Sequence, residues 1–228
     1  TEGFLFVVLD GGRKDMMSDP ELMPNLNRRV ADGAYLEVRT NPLTMTAMCV
    51  KEMATGVPSR PNEALQNFRP QHPGSIDGFN LASTFDGDGN GDPDNHVGVI
   101  GDYVWKHLVF DREKAPFYEA RYGHADYYKG DEEGFEELKR WARGAPPEGH
   151  SIPRNLIIAH LSGLDSVGHR YGALDSPEYE EKLMWIDTNL EEVFQELPDD
   201  WTVVVTSDHG LTDSGQHGSD LDILRDVA

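Results

Sequence analysis

Cations are scarce in this chain. Its 228 residues include 20 Lys and Arg against 41 Asp and Glu, a formal net charge of −21, and only seven of the cations are lysines. A surface of that sign repels phosphate backbones and anionic bilayers, which argues against nucleic-acid polymers as partners. The acidic excess reads as a solvated surface, with adaptation to high salt as the sharper alternative. A lone cysteine, Cys49, excludes an intramolecular disulfide framework. It is expected to pack inside a helix. No apolar run approaches the ~20 residues needed to cross a bilayer. Neither a signal-peptide pattern nor an internal repeat is visible. The chain opens at Thr1 and stops soon after its last candidate ligand. Both ends read as cut, so a leader, a membrane region or a further domain is expected outside these residues. Soluble as it stands, the length fits one α/β domain over residues 1–228.

What is present is an alternation of strand and helix signals. Phe4 to Leu9 is an unbroken apolar run ending in Asp10-Gly11-Gly12, as a strand buried on both faces requires. Pro24 to Asp32 reads as a helix stopped by Gly33, and Ala34 to Arg39 alternates like a second strand. Thr46 to Thr55 reads as a helix closed by Gly56. Val97–Ile100, Leu156–His160 and Val203–Val205 read as further strands. Ser176-Pro177-Glu178 starts a helix whose apolar stripe includes Leu183, Ile186, Leu190 and Val193. The stretches 112–134 and 144–153 read as irregular, with a helix near Glu136–Arg143. This order predicts a mostly parallel sheet flanked by helices on both faces. In such sheets ligands gather beyond the carboxyl ends of the strands. Asp10, Asp102, Asp165 and Asp208 all stand at or just after those ends, so they are expected to converge on one edge.

The chemistry concentrates near the C-terminal end, in Asp165-Ser166-Val167-Gly168-His169, Ser207-Asp208-His209-Gly210 and His217-Gly218. Three imidazoles and two carboxylates in one stretch, joined by Asp10, form a donor set suited to divalent metals. Two metals side by side would imply phosphoryl chemistry. Asp165 and His169 are four apart, which lets both reach one ion from a helical turn or a tight loop. Two hydroxyls, Thr44 and Thr46, stand at the predicted start of the helix ending at Gly56. A hydroxyl there faces unpaired N–H groups and the positive end of the helix dipole, a ready phosphate pocket. His160 reads as a core residue or one that supports a ligand from behind. His72, His96, His107, His124 and His150 have no partner spacing.

The ordered set of motifs resembles the alkaline phosphatase superfamily. Within it the chain is similar to the nucleotide pyrophosphatase/phosphodiesterase branch, and more so to the catalytic domain of glycosylphosphatidylinositol (GPI) ethanolamine-phosphate transferases. The matching pieces are Val8-Leu9-Asp10-Gly11, Pro42-Leu43-Thr44-Met45-Thr46, Ala54-Thr55-Gly56, Gly101-Asp102-Tyr103-Val104-Trp105-Lys106, the run from Ala159 to His169, and the run from Ser207 to Gly218. The resemblance implies two zinc-type ions, with manganese as the alternative. One would be held by Asp10, Asp208 and His209 with the nucleophile's oxygen, the other by Asp165, His169 and His217. It also implies Thr46 as the nucleophile, since the family's nucleophile stands ten residues before the glycine that closes its helix. A phospho-threonine intermediate then follows, with a phosphoester substrate that carries a lipid or glycolipid headgroup. The site would lie in an extracytoplasmic or lumenal domain of a membrane protein. Asp102, at a strand end near the site, is a candidate substrate contact.

Two departures from that pattern stand out. The multi-span membrane region of the full transferases is absent, and Asp86-Gly87-Asp88-Gly89-Asn90-Gly91-Asp92 occupies the place of a shorter turn. The alternate oxygens of Asp86, Asp88, Asn90 and Asp92 resemble the opening of a calcium loop, but position twelve is Val97 where a closed loop needs Glu. Val57-Pro58-Ser59-Arg60 echoes part of a sulfatase signature. Sulfatases need Cys or Ser as nucleophile, and Cys49 is out of register, so that reading is rejected. The alternatives are a phosphomonoesterase or mutase, disfavoured by the short interval between Gly56 and Asp165, and a metal-binding module without turnover.

Overall fold

The structure, a computed structural model, describes residues 3–40, 42–60, 81, 97–108, 117–119, 126–145, 156–219 and 221–227. Side chains of 106–108 and 117–119 are outside that description, as are the acidic turn of Asp86, Asp88, Asn90 and Asp92 and His72, His96, His124 and His150.

Among the described residues, five strands form one parallel sheet: β1 (Phe4–Leu9), β3 (Val97–Gly101), β4 (Phe117–Glu119), β5 (Leu156–Leu161) and β6 (Thr202–Thr206), in the order β4-β3-β5-β1-β6. Strand alternation divides each apolar run between two faces. Leu5, Val7 and Leu9 join Ile157, Ala159 and Leu161 on one face. Val8 joins Leu156 and Ile158 on the other. Both faces are covered, which is why these strands read as continuous apolar runs.

The first face carries α5 (Lys129–Ala142), α6 (Gly163–Tyr171) and α7 (Pro177–Glu196), packing Phe135, Leu138, Trp141, Leu164, Leu183 and Ile186 into one cluster. The second carries α3 (Thr46–Thr55) and α4 (Tyr103–Leu108), through Ala47, Val50, Ala54, Val104 and Trp105. Short α1 (Lys14–Met17) follows β1, and α2 (Pro24–Asp32) lies against α7. The N-cap of α2, Met23, has no oxygen to offer; the buried Asp187 of α7 accepts from Asn25 N and Leu26 N instead, at 3.0 and 2.8 Å. Ser176 caps α7 by accepting from Tyr179 N.

Two expectations change. The alternating segment Ala34–Arg39 stays outside the main sheet. Only β2 (Val38–Arg39) is extended, and it pairs antiparallel with β7 (Asp226–Val227), next to α8 (Asp222–Arg225). Its side chains are exposed, so the alternation marks no buried face. The stretch read as irregular holds β4 and the start of α5, which is entered ahead of Glu136. Asp165 and His169 both sit on a helix, α6, the first of the two placements that their spacing allows.

Gly101 ends β3 at φ +106°, and a Cβ there would lie 2.0 Å from the His160 carbonyl oxygen. Gly101→Ala therefore combines backbone strain with a clash against the neighbouring strand. A loss of about 2–5 kcal/mol is expected, read as a fall in the thermal unfolding midpoint.

Candidate metal centre

The strand ends deliver the donors. After β1, Asp10 N donates to Leu161 O, which locks the turn onto β5. Gly11 N and His209 N both donate to Asp208 Oδ1, at 3.3 and 2.9 Å. That oxygen is thereby committed, and Asp208 Oδ2 is left buried with no hydrogen-bond partner among the described residues. Asp10 Oδ1 and Asp165 Oδ1 are in the same condition. Buried carboxylate oxygens are costly unless something electropositive meets them.

The imidazoles have the complementary arrangement. His217 Nδ1 lies 2.7 Å from Thr44 O, and His209 Nδ1 lies 3.1 Å from Gly210 O. A carbonyl can only accept, so each Nδ1 carries the hydrogen and each Nε2 keeps its lone pair. His209 Nε2 sits 3.3 Å from Asp208 Oδ2, 3.5 Å from Asp10 Oδ1 and 3.5 Å from Thr46 Oγ1. His169 Nε2 is 3.3 Å from Asp165 Oδ2, and His217 Nε2 is 3.7 Å from Asp165 Oδ1. The rings of His209 and His217 stack with centroids 4.1 Å apart.

These donors suit a cation by number, type and spacing. Asp165, His169 and His217 each place a ligand atom within 4.8 Å of the others, as do Asp10, Asp165 and His209, and Asp10, His160 and Asp208. The electrostatics agree. Burial pushes the Asp10 carboxyl well above the ordinary carboxylate range, and the charges of Asp208, Asp165 and Asp102 push it further. Burial likewise lowers the His209 imidazole. A bound cation would reverse the first trend by supplying the charge that the buried acids lack, and would reinforce the second, because an imidazole ligates as the neutral base.

Thr46 is the first residue of α3, and its N-cap, Met45, offers no side-chain oxygen. The neighbouring Thr44 is placed differently. Its buried hydroxyl accepts from Gly218 N and donates to Ser219 O, stitching the His217 loop to the approach of α3. A cavity of about 410 Å³ opens over the site, lined among others by Asp10, Thr46, Asp102, Tyr103, Tyr127 and Arg170. Asp102 Oδ1 accepts from Val104 N at the start of α4.

Several supporting residues carry no local sequence signal. Arg13 is buried and pairs with Asp15 and Asp213, each at 2.7 Å, which links the β1 turn to the His217 loop. The Tyr179 hydroxyl donates to Gly11 O and accepts from Arg13 N. Only Ser207, whose hydroxyl accepts from Gly12 N and donates to His209 O, was marked by its place beside Asp208.

A parallel sheet with acids and imidazoles gathered beyond its strand ends defines an α/β protein of the alkaline phosphatase type. Residues 93–226, over half of the chain, match the family described as type I phosphodiesterase / nucleotide pyrophosphatase, and the chain belongs to that family. It is 26% identical over 191 residues to the catalytic subunit of mouse GPI ethanolamine phosphate transferase 3, covering 84% of this chain and 16% of that protein. The chain thus spans about a sixth of that relative's length. Murine ectonucleotide pyrophosphatase / phosphodiesterase 5, in an inactive form with AMP, superposes with a TM-score of 0.61 at 17% identity, over 93% of this chain and 58% of that one. The 2-O GAG sulfatase BT1596 superposes with a TM-score of 0.69 at 11% identity, over 99% and 63%. Among the described residues, no helix is long and apolar enough to cross a membrane.

Proposed function

We propose that this chain is the catalytic domain of a metal-dependent phosphodiesterase or phosphotransferase that works through a phospho-threonine on Thr46. The observation that carries the reading is the set of partnerless buried oxygens on Asp10, Asp165 and Asp208, facing imidazole Nε2 atoms beside the Thr46 hydroxyl. One ion is assigned to Asp10, Asp208, His209 and the Thr46 oxygen, the other to Asp165, His169 and His217. The mixed carboxylate and imidazole donors suit zinc, with manganese second. Two such ions supply Lewis-acid charge that favours the alkoxide of Thr46 and offsets charge on the transferring phosphoryl group.

The chain's own residues do the rest. The Thr46 oxygen loses its proton and attacks phosphorus in line, forming one P–O bond as the bond to the leaving alcohol breaks. The departing oxygen takes up a proton, and the phosphoryl group stays on Thr46. Water or an acceptor hydroxyl then attacks from the opposite side, which restores the free threonine. The first turn of α3 offers the phosphoryl oxygens a helix N-terminus. Asp102 and the aromatic rings of Tyr103 and Tyr127 line the space left for the substrate's headgroup. The curated relative acts in GPI ethanolamine phosphate transfer, and the same substrate class, a phosphoester with a lipid or glycolipid headgroup, is assigned here. A lumenal or extracytoplasmic setting goes with that assignment.

Metal analysis and a substrate panel test the proposal together. The purified chain is expected to hold two equivalents of divalent metal and to cleave a chromogenic phosphodiester faster than the matching monoester. Chelation should remove activity in step with metal content, and zinc should return both. Turnover that is indifferent to metal content would overturn the reading.

A further inference from the structure

His160 lies among the donors, yet its hydrogen bonding is the reverse of theirs. The side chain is 1% exposed, on the β5 face opposite α6. Its Nδ1 is 2.8 Å from Trp105 Nε1. An indole N–H can only donate, so Nδ1 must hold a lone pair, and the neutral ring carries its hydrogen on Nε2. That Nε2 lies 3.4 Å from Asp10 Oδ2, a close approach without hydrogen-bond alignment, and is otherwise buried with no hydrogen-bond partner among the described residues. His209 and His217 are fixed by carbonyls with the lone pair on Nε2 facing the site. Distance alone would admit His160 as a third imidazole beside Asp10 and Asp208. The tautomer does not, because a protonated nitrogen has no pair to give.

We infer that Trp105 and His160 form a positioning relay for Asp10: the indole fixes the tautomer, and the imidazole N–H holds Asp10 Oδ2 so that Oδ1 faces the metal position. The inference rests on the proposed metal site. Trp105 has the surroundings such a role needs. It is fully buried, and Phe6 lies edge-on to its ring at 6.4 Å. Asp102 N donates to the His160 carbonyl, so the start of α4 is tied to the same strand position. Hydrogen bonds from outside a metal's ligand set typically change its affinity by about 10–100-fold.

The test compares metal affinity, measured by competition with a chromophoric chelator, across four proteins with circular dichroism as the check on folding. His160→Leu, which cannot donate, is expected to weaken the tighter-coupled ion by about 10–100-fold. His160→Gln returns an N–H near the Nε2 position and should stay within a few-fold of wild type. Trp105→Phe keeps most of the ring volume but frees the tautomer, and should fall between the two. Nitrogen-15 correlation spectra of the metal-free wild type supply a second reading that does not depend on metal, and should show His160 protonated at Nε2 and bare at Nδ1. A bare Nε2 in that spectrum overturns the relay, as does wild-type affinity in His160→Leu. Loss of a whole metal equivalent in His160→Gln would instead make His160 a ligand, which also overturns it. A wild-type chain that takes up no metal, whatever the spectrum shows, defeats the parent proposal first and the relay with it.

Discussion

Replacing Thr46 with alanine is expected to lower phosphodiester turnover by on the order of 10³-fold or more, with fold and metal content close to unchanged. The expectation comes from position: Thr46 Oγ1 is 3.5 Å from His209 Nε2, opens α3 and lines the cavity. Thr46→Ser keeps a hydroxyl and should retain a measurable fraction of the rate. Thr44→Val provides the contrast. The Thr44 hydroxyl is consumed in two bonds to the His217 loop, so its removal should cost about 1–3 kcal/mol of stability and lower activity only through looser placement of His217. A trapped phosphoryl group, sought by mass spectrometry after rapid acid quench, should sit on Thr46. Turnover in Thr46→Ala equal to wild type would remove Thr46 as nucleophile.

The second large effect is on stability. Lys182 is fully buried, 2.8 Å from Asp131 Oδ2, with its ammonium over the rings of Tyr128 and Trp185 at 4.3 and 4.2 Å. The other oxygen of Asp131 accepts from Gly163 N at the start of α6, the helix that carries Asp165 and His169. Lys182→Met strands a buried carboxylate and should cost about 3–5 kcal/mol. For a chain of this size that is roughly 6–20 °C in the unfolding midpoint. Lys182→Met combined with Asp131→Asn should recover much of the loss, because Asn keeps the acceptor for Gly163 N and no charge is left alone. The pair also has a pH signature. Burial lowers the Lys182 ammonium from its ordinary 10.5, against the opposing pull of Asp131. Between the folded and unfolded values the native state binds fewer protons than the unfolded one, so stability rises with pH through that window. The double variant should lose that rise when denaturant curves are compared across alkaline pH.

Elements with one dominant local cause could be read from the chain directly. Phe4–Leu9 is apolar throughout because both of its faces are covered, α3 ends at Gly56 in the left-handed region, and α7 starts on a Ser-Pro pair with a sustained stripe behind it. Short elements were less visible. β4 has three residues in a polar neighbourhood, and β2 alternates without burying anything. In the candidate site, the acids and imidazoles that gather could be named because a divalent-metal donor set draws on few residue types. Their supports, His160 and Ser207 apart, could not. Trp105 meets His160 across 55 positions, and Arg13 meets Asp213 across 200, pairings that exist only once the strands are ordered. The tautomers that separate His160 from His209 and His217 are likewise set by three-dimensional neighbours.

Because β5, β1 and β6 lie side by side and stop at the same level, the sheet acts as a ruler for the chemistry beyond it. Adjacent strands are separated by about 4.8 Å, so Asp10 and the Asp208-His209 pair, which follow the neighbouring strands β1 and β6, are brought within reach of one another by backbone pairing. The spacing of these candidate ligands is therefore inherited from backbone pairing. The walls of the cavity come largely from the starts of α3 and α4 and from α6, so under the proposed function any preference among headgroups would be set by helix-borne side chains.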